Sequence, residues 1–152
     1  MSALTAIVLA AGLGKRMKST LPKVLHRAAG WPLVLFPIRS ALDAGAEAVV
    51  CVVSPEVKDR VAAVLAAELP HAPVSVAVQE VPRGTGDAVK AGIGVVRTDR
   101  VMILCGDTPL VRADELRARR GALGEHELCL MSALLDAPQR YDRVVRDGSG
   151  QV

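Results

Sequence analysis

The sequence predicts an α/β fold, a mostly parallel sheet with helices on both faces, and three observations carry that expectation. Strand-like and helix-like stretches alternate four times along the 152 residues, an order that calls for parallel strands joined by right-handed crossovers. Leu4–Ala10, Ala48–Val53 and Val101–Cys105 are continuous apolar runs, as in strands covered on both faces. Apolar residues make up 51% of the chain but include one Trp, one Tyr and one Phe. That small, aliphatic bias suits helices layered on a sheet. A chain of this length makes one domain, spanning 1–152, that buries about two-thirds of its unfolded surface.

The elements follow in order. Leu4–Ala10 is a strand that ends in Ala-Gly, and a glycine-rich loop follows it. Pro32–Ala44 is helical and stops at Gly45, with Pro37 disturbing its start. Ala48–Val53 is the second strand. Ser54-Pro55-Glu56 then supplies an N-cap, a proline at the first helical position and an acid in the first turn. Val57, Val61, Val64 and Leu65 fall on one face of the helix so opened. Val74–Val78 is a third strand and Asp87–Val96 a helix weakened by Gly92 and Gly94. Val101–Cys105, the most apolar run, is expected at the centre of the sheet. Arg112–Arg120 reads as a short charged helix, Glu127–Leu135 as another strand, and Val144–Val152 as a hairpin around Asp147-Gly148.

Composition excludes several classes. The net charge is +3, yet residues 1–42 hold six Lys/Arg and no Asp/Glu, leaving 13 cations against 16 anions elsewhere. Such asymmetry points to a local anion site and not to a general polyanion surface. Nucleic acid is not an expected partner, because the aromatic platforms that stack bases are missing. Cys51, Cys105 and Cys129 form no CxxC pair and His26, His71 and His126 no ligand spacing, so neither a zinc site nor a disulfide framework is indicated. No apolar run approaches the ~18 residues of a membrane span and no secretory start is visible, so a soluble, cytoplasmic protein without a membrane partner is expected.

In sheets of this kind ligands sit at the carboxyl ends of the strands, where strand order reverses. That gathers three loops: Ala11–Pro22, Gln79–Gly86 and Gly106–Leu110. The first belongs to the stretch LAAGLGKRMKSTLPKVL, Leu9 to Leu25, whose two glycines stand among Lys15, Arg16, Lys18 and Lys23. It fails as a dinucleotide fingerprint, because Met17 stands where the third glycine belongs. It also fails as a P-loop, because Arg16 follows Lys15 and the spacing is wrong. What remains is a nest of backbone N–H groups suited to polyphosphate. Beside it, Arg16 can fork onto phosphate oxygens and Lys23 is a point charge held by Pro22. Asp107 ends the VMILC strand, where a carboxylate caps the next helix or, beside a phosphate loop, holds a metal. Gln79 has donors and acceptors for a base edge, and Gly84-Thr85-Gly86 lets a flat ring approach the backbone. Read as structure alone, that loop is a helix entry with Thr85 as N-cap.

Taken together, these loops resemble the sugar-phosphate nucleotidyltransferases. Within that family the similarity is greatest to the bacterial uridylyltransferases of N-acetylglucosamine-1-phosphate, the N-terminal halves of bifunctional enzymes of cell-wall precursor (peptidoglycan) synthesis. Pro22-Lys23 in the first motif, Gln79 ahead of Gly84-Thr85, and Gly106-Asp107 followed by Pro109-Leu110 carry the resemblance, which runs over nearly the whole chain. It implies a Rossmann-like sheet of the nucleotide-diphospho-sugar transferase type. It also implies that the backbone of Leu9, Ala10, Ala11 and Gly12, with Arg16 and Lys23, holds the nucleotide and its phosphates. Gln79, Gly84 and Thr85 are then expected to read uracil, and Asp107 to bind Mg²⁺. The implied reaction is attack of the sugar-phosphate oxygen on the α-phosphorus of UTP with release of pyrophosphate. Positioning and charge neutralisation, through Mg²⁺, the catalytic side chains Arg16 and Lys23 and the loop N–H groups, are then expected to supply the rate.

The chain departs from the family pattern at several points. Arg140-Tyr141-Asp142-Arg143 replaces a Gly-Tyr-Gly-Arg stretch near the sugar, which bears on sugar specificity. Asp87 and Cys105 are unusual beside their motifs. The chain stops before the family's later sugar contacts, its second metal ligand and its repeat-built acetyltransferase part. The resemblance thus implies a fragment or a reduced protein, incomplete in the sheet at its C-terminus, that binds UTP weakly and turns over slowly or not at all. A homo-oligomer is compatible with a longer parent. The rival readings are another nucleotidyltransferase, such as a molybdenum-cofactor guanylyl- or cytidylyltransferase, and a catalytically silent nucleotide-binding module.

Overall fold

The computed structural model describes residues 3–12, 14, 17–124, 128–137, 139 and 141–150. They fall in two compact units, 1–118 and 119–152. Six strands form in the first: β1 (Leu4–Leu9), β2 (Arg27–Ala28), β3 (Trp31–Pro32), β4 (Ala48–Val53), β5 (Val74–Val78) and β6 (Arg100–Cys105). β2 and β3 make a small antiparallel pair. The other four form a parallel sheet in the order β5-β4-β1-β6. β1 lies between β4 and β6, so strand order reverses beside it. The Val101–Cys105 run does not take the central place expected of it. Among the described residues its strand is at the edge, and Ile103 is 51% exposed. An apolar run reports on what covers the faces of a strand, whereas its place in the sheet is decided by backbone pairing.

Side chains alternate across the sheet as the pleat requires. Leu4, Ala6 and Val8 of β1, with Val49, Cys51 and Val53 of β4, pack into one core with Leu35, Ile38 and Ala41 and with Val61 and Leu65. Those partners belong to α1 (Leu35–Asp43) and α2 (Lys58–Glu68). Ile7 of β1, with Val50 and Val52 of β4, faces the other way, onto Ala88 of α3 (Thr85–Ile93). The helices therefore cover both faces, as the alternation predicts.

Helix ends differ from expectation by a turn or less, for local reasons. α1 begins at Leu35, not Pro32, because Trp31–Pro32 is taken into β3. Pro37 then falls in the first turn, where a missing N–H costs nothing. Its far end closes on Gly45, whose φ is +90°. The N–H of Gly45 donates to Leu42 O at 2.9 Å and that of Ala46 to Ala41 O at 3.0 Å, a Schellman closure. Ser54-Pro55-Glu56 opens a 3₁₀ turn (Pro55–Val57) before α2, and Ser54 makes no side-chain capping bond. α4 (Ala113–Leu123) is charged as expected but seats Leu116 at 2% exposure. Glu115 reaches back to accept from the N–H of Arg112 at 3.1 Å, half of a capping box.

In the second unit the expected strand Glu127–Leu135 does not form over 128–135, and Glu127 lies outside the described residues. Leu128, Leu130 and Leu134 are 69%, 54% and 102% exposed. Without a neighbouring strand to accept its backbone groups, apolar character alone does not make a strand. The expected hairpin at Val144–Val152 is present as its turn only. Gly150 N–H donates to Asp147 O at 3.0 Å and Ser149 N–H to Asp147 Oδ1 at 2.9 Å, while residues 142–147 form no strand and the end of the second arm lies outside the described residues.

Candidate functional site

The three loops gathered at the carboxyl ends of the strands line one cavity of about 480 Å³. Leu9, Ala11, Gly12 and Lys23 come from the first loop and its flanks, Gln79, Gly84 and Thr85 from the second, and Asp107 from the third. Ala10 does not join them. It is 1% exposed, and its N–H donates to Val52 O at 2.7 Å, which extends the β1–β4 ladder. Of the four loop residues expected to offer backbone, Leu9, Ala11 and Gly12 face the cavity. Arg16 lies outside the described residues, as does Arg140.

Two glycines bring the charged pair of the site together. Gly106 follows β6, and its N–H donates to Leu9 O at 2.8 Å. A Cβ on Gly106 would stand 2.9 Å from that same oxygen, so only glycine carries the chain around this corner to Asp107. Gly14 has φ +58°, and a Cβ there would stand 2.8 Å from Lys23 Cβ. The first loop thus folds directly onto Lys23, which begins a 3₁₀ turn after Pro22 (φ −52°). Lys23 Nζ and Asp107 Oδ2 form an ion pair across the cavity, with side chains 35% and 32% exposed. Such half-exposed pairs add little to stability, because water screens them. Their use is to hold a cation and an anion in place at the floor of a cavity.

Gln79 continues β5 by donating its N–H to Val53 O at 2.8 Å, and it is 5% exposed. Its Nε2 donates to Gly84 O at 3.1 Å and to Asp87 Oδ2 at 2.9 Å. Gly84, not Thr85, is the N-cap of α3, with φ +113° and ψ −176°, a conformation open to glycine alone. The spacing of five residues between Gln79 and Gly84 is therefore a closed loop stapled by one amide.

Other residues of the cavity wall carried weaker signals in the sequence. Gly14 sits in the first motif, where either of two glycines fits an anion loop. Val24, Pro82 and Ala88 present only apolar surface, and nothing in their spacing marks them. Cys105 lines the wall beside Asp107. Its thiol is pushed up from its ordinary value, first by partial desolvation and then by the Asp107 carboxylate, with Lys23 acting against both. It is a neutral wall group at physiological pH and not an activated nucleophile.

Among the described residues no group of three His, Cys, Asp or Glu side chains converges to cage a metal. Asp107 offers hard carboxylate oxygen inside the cavity. That donor set fits Mg²⁺, which is held by one or two carboxylates and completes its shell with phosphate and water.

Comparison with known proteins identifies the family and the fold. The family model for the MobA-like NTP transferase domain matches residues 6–139. Among curated relatives, the bifunctional protein GlmU of Anaeromyxobacter sp. (strain K) is 49% identical over 97% of this chain and 31% of its own length. That of Sorangium cellulosum (strain So ce56) is 43% identical over 98% of this chain and 33% of its own. The chain spans about a third of the curated relatives it matches. Among solved structures, the inositol-1-phosphate CTP transferase from T. maritima superposes with a TM-score of 0.63 at 32% identity, covering 70% of this chain and 44% of that one. The 4-diphosphocytidyl-2C-methyl-D-erythritol synthase from Anaerococcus prevotii gives 0.66 at 14% identity, over 82% and 52%, and so bears on the fold alone. A parallel sheet with its cavity at the strand ends, a glycine loop folded on Lys23, and a match over residues 6–139 together make this chain a member of the MobA-like NTP transferase domain family.

Proposed function

We propose that this chain carries the nucleotidyl-transfer site of a UTP:N-acetylglucosamine-1-phosphate uridylyltransferase, forming UDP-N-acetylglucosamine and pyrophosphate with Mg²⁺. The observation that carries the reading is the convergence of the first loop, the Gln79–Thr85 loop and Asp107 on one cavity. Family membership and the likeness to an inositol-1-phosphate CTP transferase support nucleotidyl transfer. The choice of UTP and of this sugar phosphate rests on the motif resemblance.

In this reading the open N–H groups of the first loop and the Lys23 ammonium bind the triphosphate, with Arg16 as its fork-like partner. Gln79, Gly84 and Thr85 receive the base. Asp107 would hold Mg²⁺, which supplies positive charge to the phosphate oxygens. No side chain acts as nucleophile. The site lowers the barrier by aligning the sugar-phosphate oxygen with the α-phosphorus and by balancing the charge of the departing pyrophosphate. Lys23 and Asp107 form an ion pair within the cavity, so each would exchange that partner for phosphate or Mg²⁺ as the ligands bind.

The test is equilibrium binding of UTP with Mg²⁺, followed by pyrophosphate release with UTP plus N-acetylglucosamine-1-phosphate. GTP or CTP with their own acceptors serve as comparators. Weak Mg²⁺-dependent UTP binding that Asp107→Asn abolishes and Lys23→Ala weakens supports the reading. Release only with GTP or CTP, or Mg²⁺-dependent binding that survives Asp107→Asn undiminished, overturns it.

A further inference from the structure

Behind the Gln79 loop lies a second hollow of about 310 Å³, lined by Glu80, Arg83, Asp87 and Lys90 among others. Gln79 borders both spaces, whereas Asp87 borders only the second. The two acceptors around the Gln79 amide are both oxygens: Gly84 O at 3.1 Å and Asp87 Oδ2 at 2.9 Å. A carbonyl and a carboxylate accept and do not donate, so only the NH₂ end of the amide can face them. The choice between the two ends of the amide is therefore made by its surroundings. Both Nε2 protons are then used. Oε1 takes no hydrogen bond from the described residues and is not among the buried unpaired atoms. It is the one polar function of this buried side chain left open.

We infer that Asp87 is a positioning residue for base selection. By holding the Gln79 NH₂, it presents Oε1 alone to the incoming base, so the site requires an N–H donor on the base edge it meets. This rests on the proposed nucleotide-binding reading and adds to it a rule for which base is accepted. The imide N3–H of uracil satisfies Oε1. At the same ring position cytosine carries a lone pair, and the two acceptors repel. A buried acceptor left facing a lone pair is costly, which makes such contacts discriminating. The bond from Gln79 to a carboxylate is of the stronger, charge-assisted kind, so Asp87 outweighs Gly84 in fixing the amide.

The experiment is competitive binding of UTP, CTP and N3-methyl-UTP, with Mg²⁺, to the wild type, Asp87→Ala and Asp87→Asn. Thermal melts establish that each variant is folded. The wild type is expected to favour UTP over CTP and over N3-methyl-UTP by about tenfold or more. Asp87→Ala should lower the UTP-to-CTP ratio by roughly three- to tenfold. Asp87→Asn retains an acceptor oxygen and should keep most of that ratio, an outcome that a purely structural role of Asp87 at the start of α3 does not produce. An unchanged ratio in Asp87→Ala, an equal loss in Asp87→Asn, or equal wild-type affinity for UTP and N3-methyl-UTP overturns the inference. The last comparison needs no variant and stands even if Asp87→Ala does not fold. Triphosphate binding without base preference defeats the inference but leaves the nucleotide site. Failure to bind any triphosphate removes the functional reading itself.

Discussion

Val49–Val53 and Leu128–Leu135 are both aliphatic stretches, and each reads as a strand. The first is 0–3% exposed throughout, lies between β1 and β5, and has both backbone edges paired. The second forms no strand over its described residues, and Leu134 is fully exposed. The difference is one of partners and not of side chains. β4 meets two neighbours whose register places its alternate residues in two separate cores, and the free energy of those contacts outweighs the entropy of straightening the chain. Residues 128–135 have the composition without the neighbours.

Substitutions in the two regions test that contrast. Ile38 of α1 is fully buried against the sheet, and Ile38→Ala should lower the unfolding free energy by about 2–5 kcal/mol, read from urea denaturation. A loss under about 1 kcal/mol would mean that α1 does not complete that core. On the opposite face, a Cβ on Gly92 would stand 2.9 Å from Ile7 Cγ2 and 3.0 Å from Val52 Cγ2. Gly92→Ala should therefore cost roughly 1–3 kcal/mol through overpacking, despite the gain in helix propensity. A stabilised Gly92→Ala protein would show that α3 is free to lift from the sheet.

A third probe separates the thiols. Cys51 is fully buried in β4, and burial pushes its thiol from 9.0 up to about 12, whereas Cys105 and Cys129 are exposed. Native protein at pH 8 should take up maleimide at Cys105 and Cys129 and take it up at Cys51 only when unfolded, as peptide mapping would show. The raised folded value also sets a sign. The stability that the neutral Cys51 contributes is complete below about pH 9 and is lost between pH 9 and about 12, because the unfolded chain ionises first. Cys51→Ala should flatten that alkaline decline, and an unchanged slope would assign it to other groups. The smallest effect belongs to the second region, where Leu134→Ser should shift stability by no more than about 0.5 kcal/mol. A change comparable with Ile38→Ala would place Leu134 in a core after all.

The same contrast accounts for what the sequence disclosed. β1, β4, β5 and α2 were legible because their patterns are local: apolar runs that end at Ala10 and Ser54, or a helical face at Val57, Val61, Val64 and Leu65. The edge position of Val101–Cys105 was not, since nothing within the run says which strands flank it. In the site, the loops were legible because glycines and charges cluster at strand ends. The Lys23–Asp107 pairing was not, because the two residues are brought together only by β1 and β6 lying side by side. Asp87 stood out only as unusual beside its motif, and its bond to Gln79 depends on how α3 is seated over the strand end.

The central place of β1 also has a consequence for the order of events during synthesis. The strand at residues 4–9 is made first, yet its partners are residues 48–53 on one side and 100–105 on the other. Until both have left the ribosome, a largely apolar segment stands with open edges, the condition in which strands pair with the wrong chain. Such long-range closure slows folding. The nascent chain must therefore carry β1 with open edges until residues 100–105 have emerged.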